Sequence, residues 1–168
     1  MDRKETTKFL GNLLKRDRLF GKYWASEVSI DYGTTDVKRI DFMQFEPAGV
    51  VGVSGIEKGI FICYEVKSCK ADFESGFGRN FIGEKNYFVM PMGTYKEVIQ
   101  DIPSGIGVLV PVPQNTGSAN SEIFKEFENP TKLSTDTEWK LHAIRLPRPQ
   151  MRKKSVVELL FCMLRSGK

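Results

Sequence analysis

Apolar and polar positions change period several times along the chain. Phe9, Leu10, Leu13 and Leu14 fall on one face at helical spacing, with Lys4, Lys8, Lys15, Arg16 and Arg18 elsewhere, which predicts a helix over residues 3–18. Three strand-like runs follow. Residues 23–31 close at Tyr32-Gly33, and residues 37–45 end before Pro47. Residues 59–67 open with the apolar run Gly-Ile-Phe-Ile-Cys-Tyr and end on Glu65-Val66-Lys67. The Gly-rich stretch 48–58 reads as a strand end plus a turn. Strands in such close succession are expected to be hairpin neighbours.

Beyond Lys67 helical and strand-like runs alternate. Residues 69–75 predict a short helix and residues 86–92 a fourth strand. Thr94 to Asp101 predicts a helix stopped by Pro103, and residues 105–112 a fifth strand. Residues 139–146 resemble a sixth strand. From Ser155 to Arg165 a helix is expected, with Val156, Leu159, Leu160 and Met163 on one face. Residues 113–138 are polar and poor in periodicity, so a long, mobile surface excursion is expected there. The succession predicts one domain over residues 1–168, of α/β (α+β) class, with a mixed central sheet flanked by helices.

Composition narrows this only a little. With 168 residues, 40% hydrophobic and 27% charged, the chain suits a single domain with a real core. A net charge of +4 permits a polyanionic partner without requiring one. Cys63, Cys69 and Cys162 are odd in number and not closely paired, which argues against a disulfide framework. Cys63 and Cys162 read as core residues. His142 is the only histidine, so no Cys/His zinc set can be assembled and a histidine-based triad would rest on it alone. No apolar run reaches about 18 residues, so no membrane span is expected. The charged N-terminus lacks a signal-peptide core, and a cytoplasmic location is expected.

The candidate chemistry lies at the end of the third strand. Side chains alternate faces along a strand, so Glu65 and Lys67 point the same way, roughly 7 Å apart. Opposite charges at the end of a buried strand are costly unless paired or employed. Asp41 occupies the preceding run, Arg39-Ile40-Asp41-Phe42-Met43. Two acids and a lysine converging from neighbouring strands suit a hydrated divalent cation and an activated water. Acid-x-base triplets also occur at Asp2-Arg3-Lys4, Asp36-Val37-Lys38 and Glu138-Trp139-Lys140. Only Glu65-Val66-Lys67 closes an apolar strand after two earlier ones. The competing reading is a surface ion pair at a strand end, with Asp41 an ordinary strand-edge acid.

The order helix, strand, strand with Asp41, strand with Glu65-Val66-Lys67, helix, strand resembles the PD-(D/E)xK nuclease superfamily, the restriction-endonuclease-like fold. Tyr64-Glu65-Val66-Lys67-Ser68-Cys69-Lys70-Ala71-Asp72-Phe73, followed by Asn86-Tyr87-Phe88-Val89-Met90-Pro91, is similar to MmcB-like DNA-repair proteins and related phage proteins. The likeness covers roughly residues 20–112 and is strongest from 39 to 91. It implies a metal-dependent nuclease acting on DNA in repair or phage DNA processing, with Mg²⁺ or Mn²⁺ as cofactor. It further implies that Asp41 and Glu65 ligate the metal, with the Val66 backbone carbonyl, and that Lys67 is the catalytic lysine. Glu27 is a further metal-ligand candidate, matching an upstream acid that many members carry. Ile40 stands where the motif's name has proline, and the glutamine and tyrosine of RecB-like members have no clean match. Nucleases of this shape often pair to cut two strands, so a homodimer is an arrangement the likeness allows.

Basic residues supply the secondary candidates. Arg145, Arg148, Arg152, Lys153 and Lys154 form a cluster without an intervening acid, and Lys70, Arg79 and Lys85 follow the proposed site. Lys70, Arg79, Arg148, Arg152, Lys153 and Lys154 are the DNA-binding candidates, with a solvated surface as the competing reading. Tyr23, Trp24 and Phe77 offer rings for stacking on bases, but core packing is the expectation for them. The alternative function is a non-catalytic DNA-binding or assembly module that retains the nuclease fold, and RNA is the alternative substrate.

Overall fold

A computed structural model describes residues 1–114 and 118–166. The chain runs α1 (Arg3–Leu14), a π-helical turn (Lys15–Leu19), β1 (Tyr23–Ile30), β2 (Lys38–Glu46), α2 (Val53–Glu57) and β3 (Ile60–Val66). It continues through α3 (Lys70–Glu74), β4 (Lys85–Val89), α4 (Met92–Val98), β5 (Gly107–Pro113), α5 (Ala119–Glu128), β6 (Trp139–Arg145) and α6 (Val156–Arg165). The strands form one six-stranded sheet in chain order. β1, β2 and β3 are antiparallel neighbours, β3, β4 and β5 run parallel, and β6 returns antiparallel to β5. The helices between the parallel strands are the crossovers such pairing requires. This is the mixed sheet flanked by helices that the sequence pattern predicts. No helix among the described residues is long and apolar enough to cross a membrane.

Local signals set the helix ends. Asp2 caps α1 by accepting the Glu5 N–H at 2.8 Å, while the Glu5 carboxylate accepts the Asp2 N–H at 2.8 Å. Ser155 caps α6 by accepting the Glu158 N–H. Past Leu14 the first helix widens into the π turn. Asp17 there accepts the Leu141 N–H at 2.8 Å, tying the turn to β6.

Packing follows strand alternation. Leu10, Leu13 and Leu14 of α1 meet Phe42, Tyr64 and Val66 on one face of the sheet. On the opposite face, Leu159, Cys162 and Met163 of α6 meet Val28, Met43 and Phe61, and Cys63 joins that cluster. A third cluster joins Phe73, Tyr95 and Val98 to Phe88, Val108 and Val110. Each fully buried Leu or Phe contributes about 1.5–3 kcal/mol relative to exposure, so the central strands have little freedom to shift beneath the site.

Two segments depart from expectation. Residues 48–58 hold a short helix, α2, as well as a turn. In the polar stretch 113–138, residues 115–117 lie outside the described residues, but the expected irregular excursion contains α5. Ile123 and Phe127, four residues apart, pack against the third cluster. Buried Glu126 accepts the Thr131 N–H and hydroxyl, both at 2.7 Å, which fixes the chain as it leaves the helix.

Candidate active site

The site forms where β2 begins and β3 ends. Their pairing reaches Phe42 opposite Tyr64, and one step further the same register sets Asp41 across from Glu65. Asp41 Oδ2 accepts the Val66 N–H at 2.8 Å, which satisfies the strand end and fixes the carboxylate. Lys67 follows β3, and its backbone N–H donates to the Val89 carbonyl at 2.9 Å. Its Nζ donates to the Phe77 carbonyl at 2.6 Å. Glu65 is 5% exposed and Lys67 4%. Asp41, Glu65, Val66 and Lys67 all line one open cleft of about 860 Å³.

The electrostatics of this cluster are unbalanced. Burial, then repulsion from Asp41, pushes the Glu65 carboxyl up to about 9, with Lys67 pulling the other way. Without a cation, Glu65 therefore carries a proton at neutral pH. A divalent cation between the two carboxyls would relieve both the desolvation and the repulsion. The donor set fits such an ion: Asp41 and Glu65 offer hard oxygens, the Val66 carbonyl is the candidate third, and Mg²⁺ keeps several waters. Among the described residues there is no group of three or more His, Cys, Asp or Glu side chains suited to a metal. Any cation here would depend on the carboxylate pair with backbone and water oxygens.

The loop after α3 closes one wall. Gly76 and Gly78 both take positive φ, 77° and 70°, which lets the chain turn twice within three residues. A Cβ on Gly78 would lie 2.5 Å from Glu65 Oε2 and 3.2 Å from Lys67 Nζ. That position must be bare for the carboxylate and ammonium to sit where they do. Asp72 of α3 accepts the Ser68 N–H at 3.0 Å and hydroxyl at 3.1 Å, and pairs with Arg3 at 2.8 Å. Burial raises its carboxyl, but the Ser68 hydrogen bonds and the charges of Lys67 and Arg3 win and hold it below the usual range. Arg3 comes from α1 and Lys38 and Arg39 from the start of β2, and all three line the cleft. Sequence spacing could not nominate Arg3, Asp72 or Gly78, because tertiary contact alone brings them to Glu65 and Lys67.

The other candidates are placed elsewhere. Glu27 is opposite Asp41 in the β1–β2 register but takes φ 52°, interrupting the pairing. Its exposed side chain pairs with Arg39 at 2.9 Å, and it does not line the cleft. Lys70 pairs with Glu74 one turn along α3. Arg79 donates to the Phe73 carbonyl at 3.0 Å and lies over the Phe73 ring. Arg152 pairs with Glu84 at 2.6 Å, Lys153 Nζ donates to the Asn80 carbonyl at 3.0 Å, and Lys154 pairs with Asp31 at 2.6 Å. Arg148 is exposed and its backbone N–H bonds the Gly105 carbonyl. The basic cluster is thus a strap across the 80–84 loop, with most of its charges engaged inside the fold.

Expected core packing holds only in part for the aromatic candidates. Trp24 is half-buried and lines a separate, mostly apolar groove that offers no carboxylate. Tyr23 and Phe77 are largely exposed, and Phe77 lines the acidic cleft. Among solved structures the chain is similar to the SPO1766 protein of unknown function from Silicibacter pomeroyi, with a TM-score of 0.54 and 17% identity. The alignment covers 92% of this chain and 81% of that one, and it is a likeness of fold. Neither a protein-family model nor a curated protein matches the sequence.

Proposed function

We propose that this chain is a metal-dependent nuclease that hydrolyses DNA phosphodiester bonds in repair or phage DNA processing. One observation carries the reading: two carboxyls from adjacent strands, one pushed up to about 9, converge beside a buried lysine in an open cleft. A purely structural ion pair would bring Glu65 against Lys67 Nζ. Instead Nζ bonds a backbone carbonyl, and the Glu65 carboxyl faces Asp41, which repels it when charged and hydrogen-bonds it when protonated.

Mg²⁺ or Mn²⁺, when bound, would neutralise phosphate charge and acidify water. Asp41 and Glu65 would hold it, with Asp41 already oriented by the Val66 N–H. Hydrolysis joins a water oxygen to phosphorus, breaks one ester P–O bond and leaves a proton to be carried away. With one donor on the Phe77 carbonyl, the Lys67 ammonium keeps two N–H groups for a phosphate oxygen or the attacking water. Arg3, Lys38 and Arg39 line the same cleft, each already paired with an acid, Asp72, Asp36 and Glu27 respectively, and would share those pairings with neighbouring phosphates. The non-catalytic alternative draws mainly on the basic cluster, and the internal pairing of Arg152, Lys153 and Lys154 removes much of its support.

The test is to incubate plasmid, single-stranded and branched DNA, with RNA as competitor, in Mg²⁺ or Mn²⁺. Wild type should cut DNA, and Asp41→Ala, Glu65→Ala and Lys67→Ala should each lose that activity. A wild type that cuts no DNA, or a triple variant that cuts as well, would sink the proposal.

A further inference from the structure

Phe77 sits where packing gives it nothing. Its side chain is 80% exposed, although it lines the cleft that holds Glu65 and Lys67. A ring of that size left in water forgoes the stabilisation that burial of a Phe brings. The backbone beneath it is the opposite of loose. Gly76 and Gly78 on either side both hold positive φ, and the Phe77 carbonyl accepts from Lys67 Nζ at 2.6 Å. Gly78 is in turn packed against the Glu65 carboxylate. The fold therefore ties an outward-facing ring to two of the three candidate catalytic residues through a single short loop.

The rest of the cleft suits a strand of nucleotides. Four basic side chains, Arg3, Lys38, Arg39 and Lys67, line it alongside four acidic ones. The basic groups can follow a phosphate backbone, but they have no sequence to read there. A lone exposed ring beside them offers a π face, which any base can cover when that base is free of its partner. Bases inside an intact duplex are stacked on each other and closed to it.

We propose that Phe77 is a stacking platform for an unpaired base, so that the cleft takes single-stranded DNA in preference to an intact duplex. The inference rests on the nucleic-acid reading of the cleft and deepens it by naming the substrate class.

Binding in EDTA separates this inference from the hydrolytic reading, because no metal-dependent cut can occur. Anisotropy of a labelled 12-nucleotide single strand and of the matching blunt duplex should show the single strand bound more tightly by wild type. Phe77→Ala should weaken single-strand binding by about tenfold and leave duplex binding within about twofold, while Phe77→Tyr should keep the wild-type preference. In Phe77→Trp the added indole emission should be quenched by the single strand and not by the duplex. Equal loss of both DNA forms in Phe77→Ala, or no loss at all, would overturn the inference. If stacking is seen but Mg²⁺ and Mn²⁺ elicit no cleavage, the nuclease reading fails and the platform stands. If DNA is cut and Phe77→Ala binds like wild type, the platform alone fails.

Discussion

Two charged regions invite comparison: the Asp41-Glu65-Lys67 cluster and the basic strap from Arg145 to Lys154. By sequence the strap is the more conspicuous, since it holds five basic residues with no acid among them. In the fold four of these five are engaged, and Arg148 is exposed. Arg152 meets Glu84, Lys154 meets Asp31 and Glu158, Lys153 meets the Asn80 carbonyl, and Arg145 donates to the Ile102 and Pro103 carbonyls. The strand-end cluster is smaller, yet its two carboxyls face each other in an open cleft. A run of one sign finds partners across the fold, whereas buried Glu65 beside half-buried Asp41 holds a cost that a proton or a cation relieves.

The sharpest way to break this comparison is to mutate both regions in one assay. Glu65→Ala, Asp41→Ala and Lys67→Ala should lower DNA cleavage by about 100-fold or more. Arg152→Ala should leave cleavage within about twofold. Its cost should appear in urea unfolding instead, at about 1–3 kcal/mol, because partly buried Glu84 loses a charged partner. Strap variants that lose cleavage as severely as Glu65→Ala would make the strap a substrate surface and end the distinction.

Gly78→Ala sits between the two regimes. The new Cβ meets the Glu65 carboxylate, and the residue must hold φ 70°. Cleavage should fall on the order of tenfold through misplacement of Glu65, and stability should drop by about 1–2 kcal/mol. Unchanged stability and cleavage would mean that the loop is not the fixed wall described above.

The last effect is graded and depends on pH. Glu65 has a folded value of about 9 against an ordinary 4.5, so the folded chain binds more protons between those values. The stability tied to this proton is fully present below about 4.5 and is lost as pH rises through about 9. Unfolding in EDTA should therefore show wild type losing stability relative to Glu65→Gln from about pH 5 to 9. A flat difference across that range would remove the unbalanced pair from the account.

The same contrast explains what could be read from the sequence. Strand alternation fixed which face Glu65 and Lys67 share, and the apolar runs marked every strand of the sheet. Ile123 and Phe127 carried a helical signal for α5, but polar neighbours diluted it. The pairings of the strap could not be read, because Glu84 and Asp31 lie 68 and 123 residues from their partners. Arg3 and Asp72 are 69 residues apart and meet only in the folded chain, where Arg3 at the start of α1 reaches Asp72 of α3. Phe77 was expected in the core because large rings usually go there. The paired glycines that turn it outward matter only once the fold is known.

The central claim is that Asp41 and Glu65 together hold a divalent cation. Calorimetric titration of the chain with Mn²⁺ near pH 7.5, in two buffers of different ionisation heat, addresses it most directly. One Mn²⁺ per chain should bind, with proton release as Glu65 gives up its proton, and Glu65→Gln should abolish the isotherm. No Mn²⁺ binding by wild type, or an unchanged isotherm in Glu65→Gln, would contradict it.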